Sequence, residues 1–460
     1  MAESSPYEYA DGSHDWSVET VLVTGASGYI GSHVCLALLS RGANVVGTVR
    51  SVAKTEKTAH LTSMSTEFGG RLRLIEADLV KPESWSAEVV AGCTLVCHVA
   101  SPFVVGVAEK SAEEALYKPA RDGTTSVLSM VAAYNALQAE RAPAAPAPAV
   151  RRVVVTSSMA SVQGGRDWKE EGYGDRLDEP EKEWLNLEKC DSTYTKSKGI
   201  AERAAWDFVA ELQESSSAPF ELATILPTFV IGPPLSSGAA TSHAVTRRFL
   251  RREMPAVPDL YFSTVDVRDV AAAHCAALVE PAAAGERFAC WAQQTSFHDW
   301  AAAVGAVFKP LGYNVPTGKL PKWLLAVIGI FDTQARTVVS QSGVRQIEVS
   351  NAKARRVLGV VFTAEHESLI DHAHACIRHG VEGIPQTAQW KRGEAEGRWP
   401  RYAAAGSARA ATSDARCADA DAGAAVDAEA VPSEAVGEGE EAAVANSGDA
   451  DDGAASSKNR

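Results

Sequence analysis

Tyr194 and Lys198 stand four residues apart in the run Tyr194-Thr195-Lys196-Ser197-Lys198, a spacing that on a helix turns both side chains to one face. An unperturbed phenol titrates near 10, and a fixed ammonium beside it lowers that value, which makes a usable acid near neutral pH. The pair gains meaning from two upstream features: Thr156-Ser157-Ser158 closing a β-branched run, and Gly25-Ala26-Ser27-Gly28-Tyr29-Ile30-Gly31 lying between another such run and the helical pattern that ends at Gly42. Glycines at a strand-to-helix turn let backbone N–H groups and the positive helix end approach a pyrophosphate, and the last of them permits close helix-to-strand packing. The spacing here is Gly-x-x-Gly-x-x-Gly, and its position between strand and helix points to dinucleotide binding.

The next strand ends at Thr48-Val49-Arg50, where an acidic side chain would hold the ribose hydroxyls of NAD. Arg50 stands there instead. A guanidinium pairs bidentately with a 2′-phosphate, and Lys57 adds a second positive charge, so the expected cofactor is NADP(H). An Arg simply solvated at a strand end is the alternative.

These residues need a scaffold, and the chain supplies one by alternating short β-branched runs with longer helical patterns. The runs are Thr20 to Thr24, Asn44 to Val49, Arg71 to Ile75, Thr94 to Val99, Arg152 to Thr156 and Glu221 to Leu226. Strands this apolar are covered on both faces, so the expected fold is α/β, a Rossmann-type doubly wound parallel sheet with a smaller C-terminal substrate-binding region and a disordered acidic tail. The expected divisions are 1–19 as a disordered segment, 20–227 as the NADP-binding domain carrying Ser158, Tyr194 and Lys198, 228–402 as the substrate-binding region, and 403–460 as the tail. Ala142 to Ala149, rich in Pro and Ala, reads as an exposed loop before the fifth strand.

The chain has 460 residues, 46% hydrophobic, with 44 Lys and Arg against 58 Asp and Glu. That is ordinary globular composition, and the acidic balance gives no footprint for a phosphate backbone, so nucleic acid is not an expected partner. Residues 401–460 hold 12 acidic and 5 basic side chains, half of the net charge of −14, and almost no large apolar ones to offset the entropy of ordering. Met1 to Ser17 has acidic residues and no Lys or Arg, unlike an export presequence. Trp323 to Phe331 is far shorter than the roughly 20 residues of a spanning helix, so no membrane is expected. The 8 Cys are scattered, with no ligand cluster around Cys93 and Cys97, and His98, His274 and His298 are equally dispersed. No metal site is expected, and the thiols suit a reducing, cytoplasmic setting.

The succession GASGYIG, VVGTVR, EADL, HVASPF, DGTTSVL, VVVTSS, YTKSKGIAERAAW and LPTFVIGP resembles the extended short-chain dehydrogenase/reductases, within the NAD-dependent epimerase/dehydratase superfamily. More narrowly it is similar to the dihydroflavonol 4-reductase, cinnamoyl-CoA reductase and aldehyde/ketone reductase branch. The likeness is dense over 20–235 and weaker through VDVRDVAAAH and SNAKARRVLG. It implies hydride transfer from NADPH to the carbonyl carbon of a small molecule, with Tyr194 as proton donor and Lys198 as the ammonium that tunes it and holds the nicotinamide ribose. Ser158, the second Ser of its motif, is implied to hydrogen-bond the reacting oxygen, with Ser157 as the neighbouring candidate. By the same resemblance Gly25, Ser27, Gly28, Tyr29, Ile30 and Gly31 form the pyrophosphate turn, and Arg50 and Lys57 meet the 2′-phosphate. Asp78 and Leu79 lie by adenine, Val99, Ala100 and Ser101 by the ribose and pyrophosphate, and Pro227 to Val230 against the nicotinamide.

Nucleotide-sugar epimerases and dehydratases share this fold and the Tyr/Lys pair, 3-beta-hydroxysteroid dehydrogenases are a further variant, and a non-catalytic dinucleotide sensor would need neither Tyr194 nor Ser158. Arg50 and the HVASPF and AERAAW stretches favour a reductase. The pocket walls, Phe103 to Val107, Ala160 to Lys189 and Thr228 to Phe262, carry no readable substrate code, and the oligomeric state is equally illegible.

Overall fold

Seven strands form one parallel sheet: β1 (Thr20–Thr24), β2 (Asn44–Val49), β3 (Leu72–Glu76), β4 (Leu95–His98), β5 (Arg152–Thr156), β7 (Glu221–Pro227) and β10 (Arg287–Cys290), in the order β10-β7-β5-β4-β1-β2-β3. Between them, β6 (Arg176–Leu177) is a short strand in the loop after β5. The computed structural model describes residues 14–102, 109–141, 149–168, 171–173, 175–215, 220–238, 240–321 and 347–399. These all fall within one compact unit. The Pro/Ala insertion, Phe103 to Val107, Trp323 to Phe331 and the acidic tail lie outside the described residues, apart from Ala149.

The strands are built as their composition requires. Val21 to Val23, Val45, Val46, Val96 and Val153 to Val155 are buried, and helices cover both faces. On one face the helices Tyr29–Arg41 and Val267–Val279 pack together over Val23, Val45 and Cys97. On the other, Lys118–Arg141 packs against Thr193–Ser215 over Leu22, Val96 and Val153. The order of the strands reverses between β1 and β4, and in such sheets the crevice beyond the strand ends at the reversal is where ligands bind.

The first six strands match the β-branched runs within a residue or so. The seventh, β10, comes after a long excursion: its four residues return to the sheet from the region expected to bind substrate. That region also folds a mixed three-stranded sheet from β8 (Phe229–Ile231), β9 (Tyr261–Asp266) and β11 (Gln293–Ser296) over its own core of Phe249, Phe297, Trp300 and Phe308. A two-residue strand, β12 (Glu348–Val349), pairs with β6. Among the described residues, no helix is long and apolar enough to cross a membrane.

Candidate active site

The glycine turn follows β1 and is fastened through its backbone N–H groups. Gly25 N–H donates to Thr48 Oγ1 (3.1 Å), Ala26 N–H to the Thr48 carbonyl (3.0 Å) and Gly28 N–H to the Gly25 carbonyl (2.9 Å). Gly25 has φ +67°, and a Cβ there would sit 3.0 Å from Ala100 Cα; a Cβ on Gly31 would sit 2.3 Å from the Gly25 oxygen. Side chains are therefore excluded from both positions. Gly28 is the N-cap of the helix Tyr29–Arg41 and makes no side-chain hydrogen bond there, and a helix N-terminus is the end that favours an anion. Ser27 and Ile30 are half-buried, and the Tyr29 hydroxyl donates to the Gly232 carbonyl (2.5 Å), tying the turn to the end of β8 beside Val230.

After β4, Ala100 N–H donates to Thr24 Oγ1 (3.0 Å), which also meets His98 Nδ1 (2.8 Å) at the end of β1. This holds Val99, Ala100 and Ser101 beside the glycine turn. Lys198 Nζ donates to Ser101 Oγ (2.6 Å) and lies 5.2 Å from the centre of the Tyr194 ring. A continuous line of contacts thus runs from Gly25 through Ala100 and Ser101 to Lys198 and Tyr194. Arg50 and Lys57 are exposed at the rim past β2 and make no ion pair among the described residues. Asp78 and Leu79 follow β3: the Asp78 carbonyl accepts the Trp85 Nε1–H (3.0 Å), and Leu79 packs toward Gly123.

The serine motif follows the end of β5 and is held against the neighbouring β7, where Ser157 N–H donates to the Ile225 carbonyl (2.8 Å) and Met159 N–H to the Pro227 carbonyl (3.0 Å). Its two hydroxyls have different surroundings. Ser157 is buried and donates to the Glu202 carboxylate (2.6 Å); Ser158 is half-buried, its Oγ accepting the Ala160 N–H (3.2 Å). Glu202 itself, 1% exposed on the Tyr194 helix, was not among the sequence candidates, nor was its partner Arg287 on β10. A charged residue one turn beyond Lys198 and two beyond Tyr194, on the same inward face, was the available signal.

Protonation differs from the simple expectation that the ammonium lowers the phenol. Burial pushes Tyr194 up to about 12 and Lys198 down to about 8. The ammonium lies toward the ring and is engaged by Ser101, so desolvation of both groups governs. The phenol therefore holds its proton throughout the neutral range.

A cavity of about 500 Å³ lies against the first turn of this helix, lined by Gly164, Arg166, Lys189, Cys190 and Thr195 among others. It has none of Ser158, Tyr194 or Lys198 in its walls.

Comparison with known proteins bears on this arrangement. Residues 21–290 match the NAD dependent epimerase/dehydratase family. A ketoreductase of Aspergillus niger is 30% identical over 356 residues, covering 74% of this chain and 93% of that protein. A cinnamoyl-CoA reductase of Medicago truncatula is 35% identical over 273 residues, 58% of this chain and 74% of that protein. Among solved structures, yeast methylglyoxal/isovaleraldehyde reductase Gre2 complexed with NADPH superimposes with a TM-score of 0.61 at 26% identity, covering 80% of this chain and all of that one.

Proposed function

This chain belongs to the NAD dependent epimerase/dehydratase family, and we propose that within it the protein is an NADPH-dependent reductase of a small-molecule carbonyl compound, with Tyr194 as proton donor. The observation that carries this reading is the unbroken line from the glycine turn through Ala100 and Ser101 to Lys198 and Tyr194, with Ser158 half-open at the end of β5. The ketoreductase and cinnamoyl-CoA reductase relatives, and the NADPH-bound structural neighbour, support a reductase over an isomerising enzyme.

The residues present fit the cofactor. The side-chain-free turn at Gly25, Gly28 and Gly31 and the uncapped helix start suit a pyrophosphate, and Arg50 and Lys57 suit a 2′-phosphate. When bound, reduced dinucleotide supplies the hydride. Lys198, now held by Ser101, has the donors to hold ribose hydroxyls and keep them in place. Ser158 Oγ–H donates to the substrate oxygen and polarises the carbonyl, while the Tyr194 O–H transfers its proton to that oxygen as negative charge develops there. A phenol kept protonated by burial is in the right state for a donor. Pro227, the last residue of β7, and Val230, in the middle of β8, are the residues this reading sets against the nicotinamide.

The test is a panel of small ketoaldehydes, flavanonols, hydroxycinnamoyl thioesters and UDP-sugars, followed by NADPH absorbance with product identification. We expect one NADPH consumed per alcohol or aldehyde formed from one of the first three classes. Conversion of a UDP-sugar with no net change in cofactor, or binding of NADPH without turnover of any compound, contradicts the reading.

A further inference from the structure

Glu202 lies on the helix that presents Tyr194 and Lys198 and is buried from solvent. Its carboxylate is surrounded by donors. Oε1 accepts from Thr224 Oγ1 (3.0 Å), Arg287 Nε (2.8 Å) and, more distantly, Trp206 Nε1 (3.4 Å). Oε2 accepts from Ser157 Oγ (2.6 Å) and Arg287 Nη2 (3.1 Å), and Ser161 Oγ also lies against it. Arg287 Nη1 donates to the carbonyls of Glu181 (2.8 Å) and Glu183 (2.7 Å), Nη2 also reaches Ser161 Oγ (3.4 Å), and the guanidinium stacks 3.8 Å over the Trp184 ring. Burial alone would raise the Glu202 carboxyl, but the guanidinium and the serine hydroxyls outweigh it and hold it ionised.

A buried ion pair is weak evidence for stability, because desolvation offsets much of its attraction; its better-attested use is to fix one arrangement. Here the arrangement fixed is that of the serine turn. Ser157 and Ser161, on either side of Ser158, both reach Glu202, and Ser161 Oγ is also 2.7 Å from the Ser158 carbonyl. The neighbouring hydroxyls thus clamp Ser158 to the Tyr194 helix while its own hydroxyl stays half-open.

We propose that Glu202, paired with Arg287, is a positioning residue that sets the Ser158 hydroxyl against the same point in space as the Tyr194 hydroxyl. This rests on the reading of Ser158 given above. Glu202 touches no reacting atom in this role; it acts through Ser157, Ser161 and the backbone between them.

The experiment is a pair of double-mutant cycles, using the panel carbonyl that turns over fastest. Glu202→Gln and Ser161→Ala are each made alone and with Ser158→Ala. Single-turnover rates are read beside NADPH affinity by fluorescence and melting temperature by circular dichroism. We expect each single variant to slow hydride transfer about 10- to 100-fold, the loss that follows small misplacements of reacting groups. NADPH affinity should stay within about twofold, and neither change should slow the Ser158→Ala protein further, because both act through the group already removed. Losses that multiply in the Ser158→Ala background, losses that track weakened NADPH binding, or wild-type rates in the single variants overturn the proposal. Should Glu202→Gln fail to fold, the Ser161→Ala cycle decides, since it leaves the Glu202–Arg287 pair intact. A Ser158→Ala enzyme with wild-type turnover instead removes the reading of Ser158 and the proposal with it.

Discussion

At the scale of single residues, the site depends on two desolvated groups whose protonation states are set by burial. Lys198 is 9% exposed and burial brings its ammonium down to about 8, so it is charged below that pH and neutral above it. Tyr194, near 12, stays protonated across the whole range. If the ammonium is needed to hold the ribose, activity falls as the pH rises through about 8, and no lower limb arises from the phenol. Measuring kcat/KM from about pH 6 to 10 checks this: Lys198→Arg, whose charge persists, should flatten the fall, and a wild-type profile level to pH 10 contradicts it. Much of this site is legible in the sequence, since Tyr194, Lys198, Ser157 and Ser158 all lie in recognisable runs. The burial that reverses the expected shift of the phenol is not, because desolvation depends on tertiary packing rather than on the neighbours in the run.

At the scale of elements, β2 and the turn beyond it are where we propose that cofactor choice is made. Val52 N–H donates to Glu76 Oε1 (2.7 Å), which pins the loop after Arg50 to the end of the neighbouring strand β3. Arg50 is thereby presented outward from a fixed base. Arg50→Ala should weaken NADPH binding about 10- to 100-fold, the range for a lost charge-assisted hydrogen bond, and leave NADH binding nearly unchanged. Titration of both cofactors by fluorescence checks it; equal losses for both, or none, would show that Arg50 contributes no 2′-phosphate contact. The six β-branched strands are legible because buried parallel strands must be apolar throughout. β10 is not. Four residues, RFAC, carry no periodicity, and Arg287 stands among them because Glu202 awaits it. Nor do β8, β9 and β11 announce themselves, since short strands of a mixed sheet are specified by packing on Phe297 and Trp300 more than by their own pattern.

For the molecule as a whole, the parallel sheet brings separate stretches of chain to the reversal between β1 and β4: the glycine turn, the loop after β4, the serine motif and the Tyr194 helix. The return of β10 to the sheet joins the later half of the chain to the Tyr194 helix through Arg287 and Glu202. Such convergence makes sense if one proton donor is served by all of it. The most direct measurement is therefore the single-turnover rate of Tyr194→Phe beside its NADPH affinity. The substitution keeps the ring and removes the acid, so the rate should fall by about 10² to 10⁴ while NADPH binding stays within about twofold of wild type. A Tyr194→Phe enzyme that reduces the carbonyl at near wild-type rate would contradict the account at its centre.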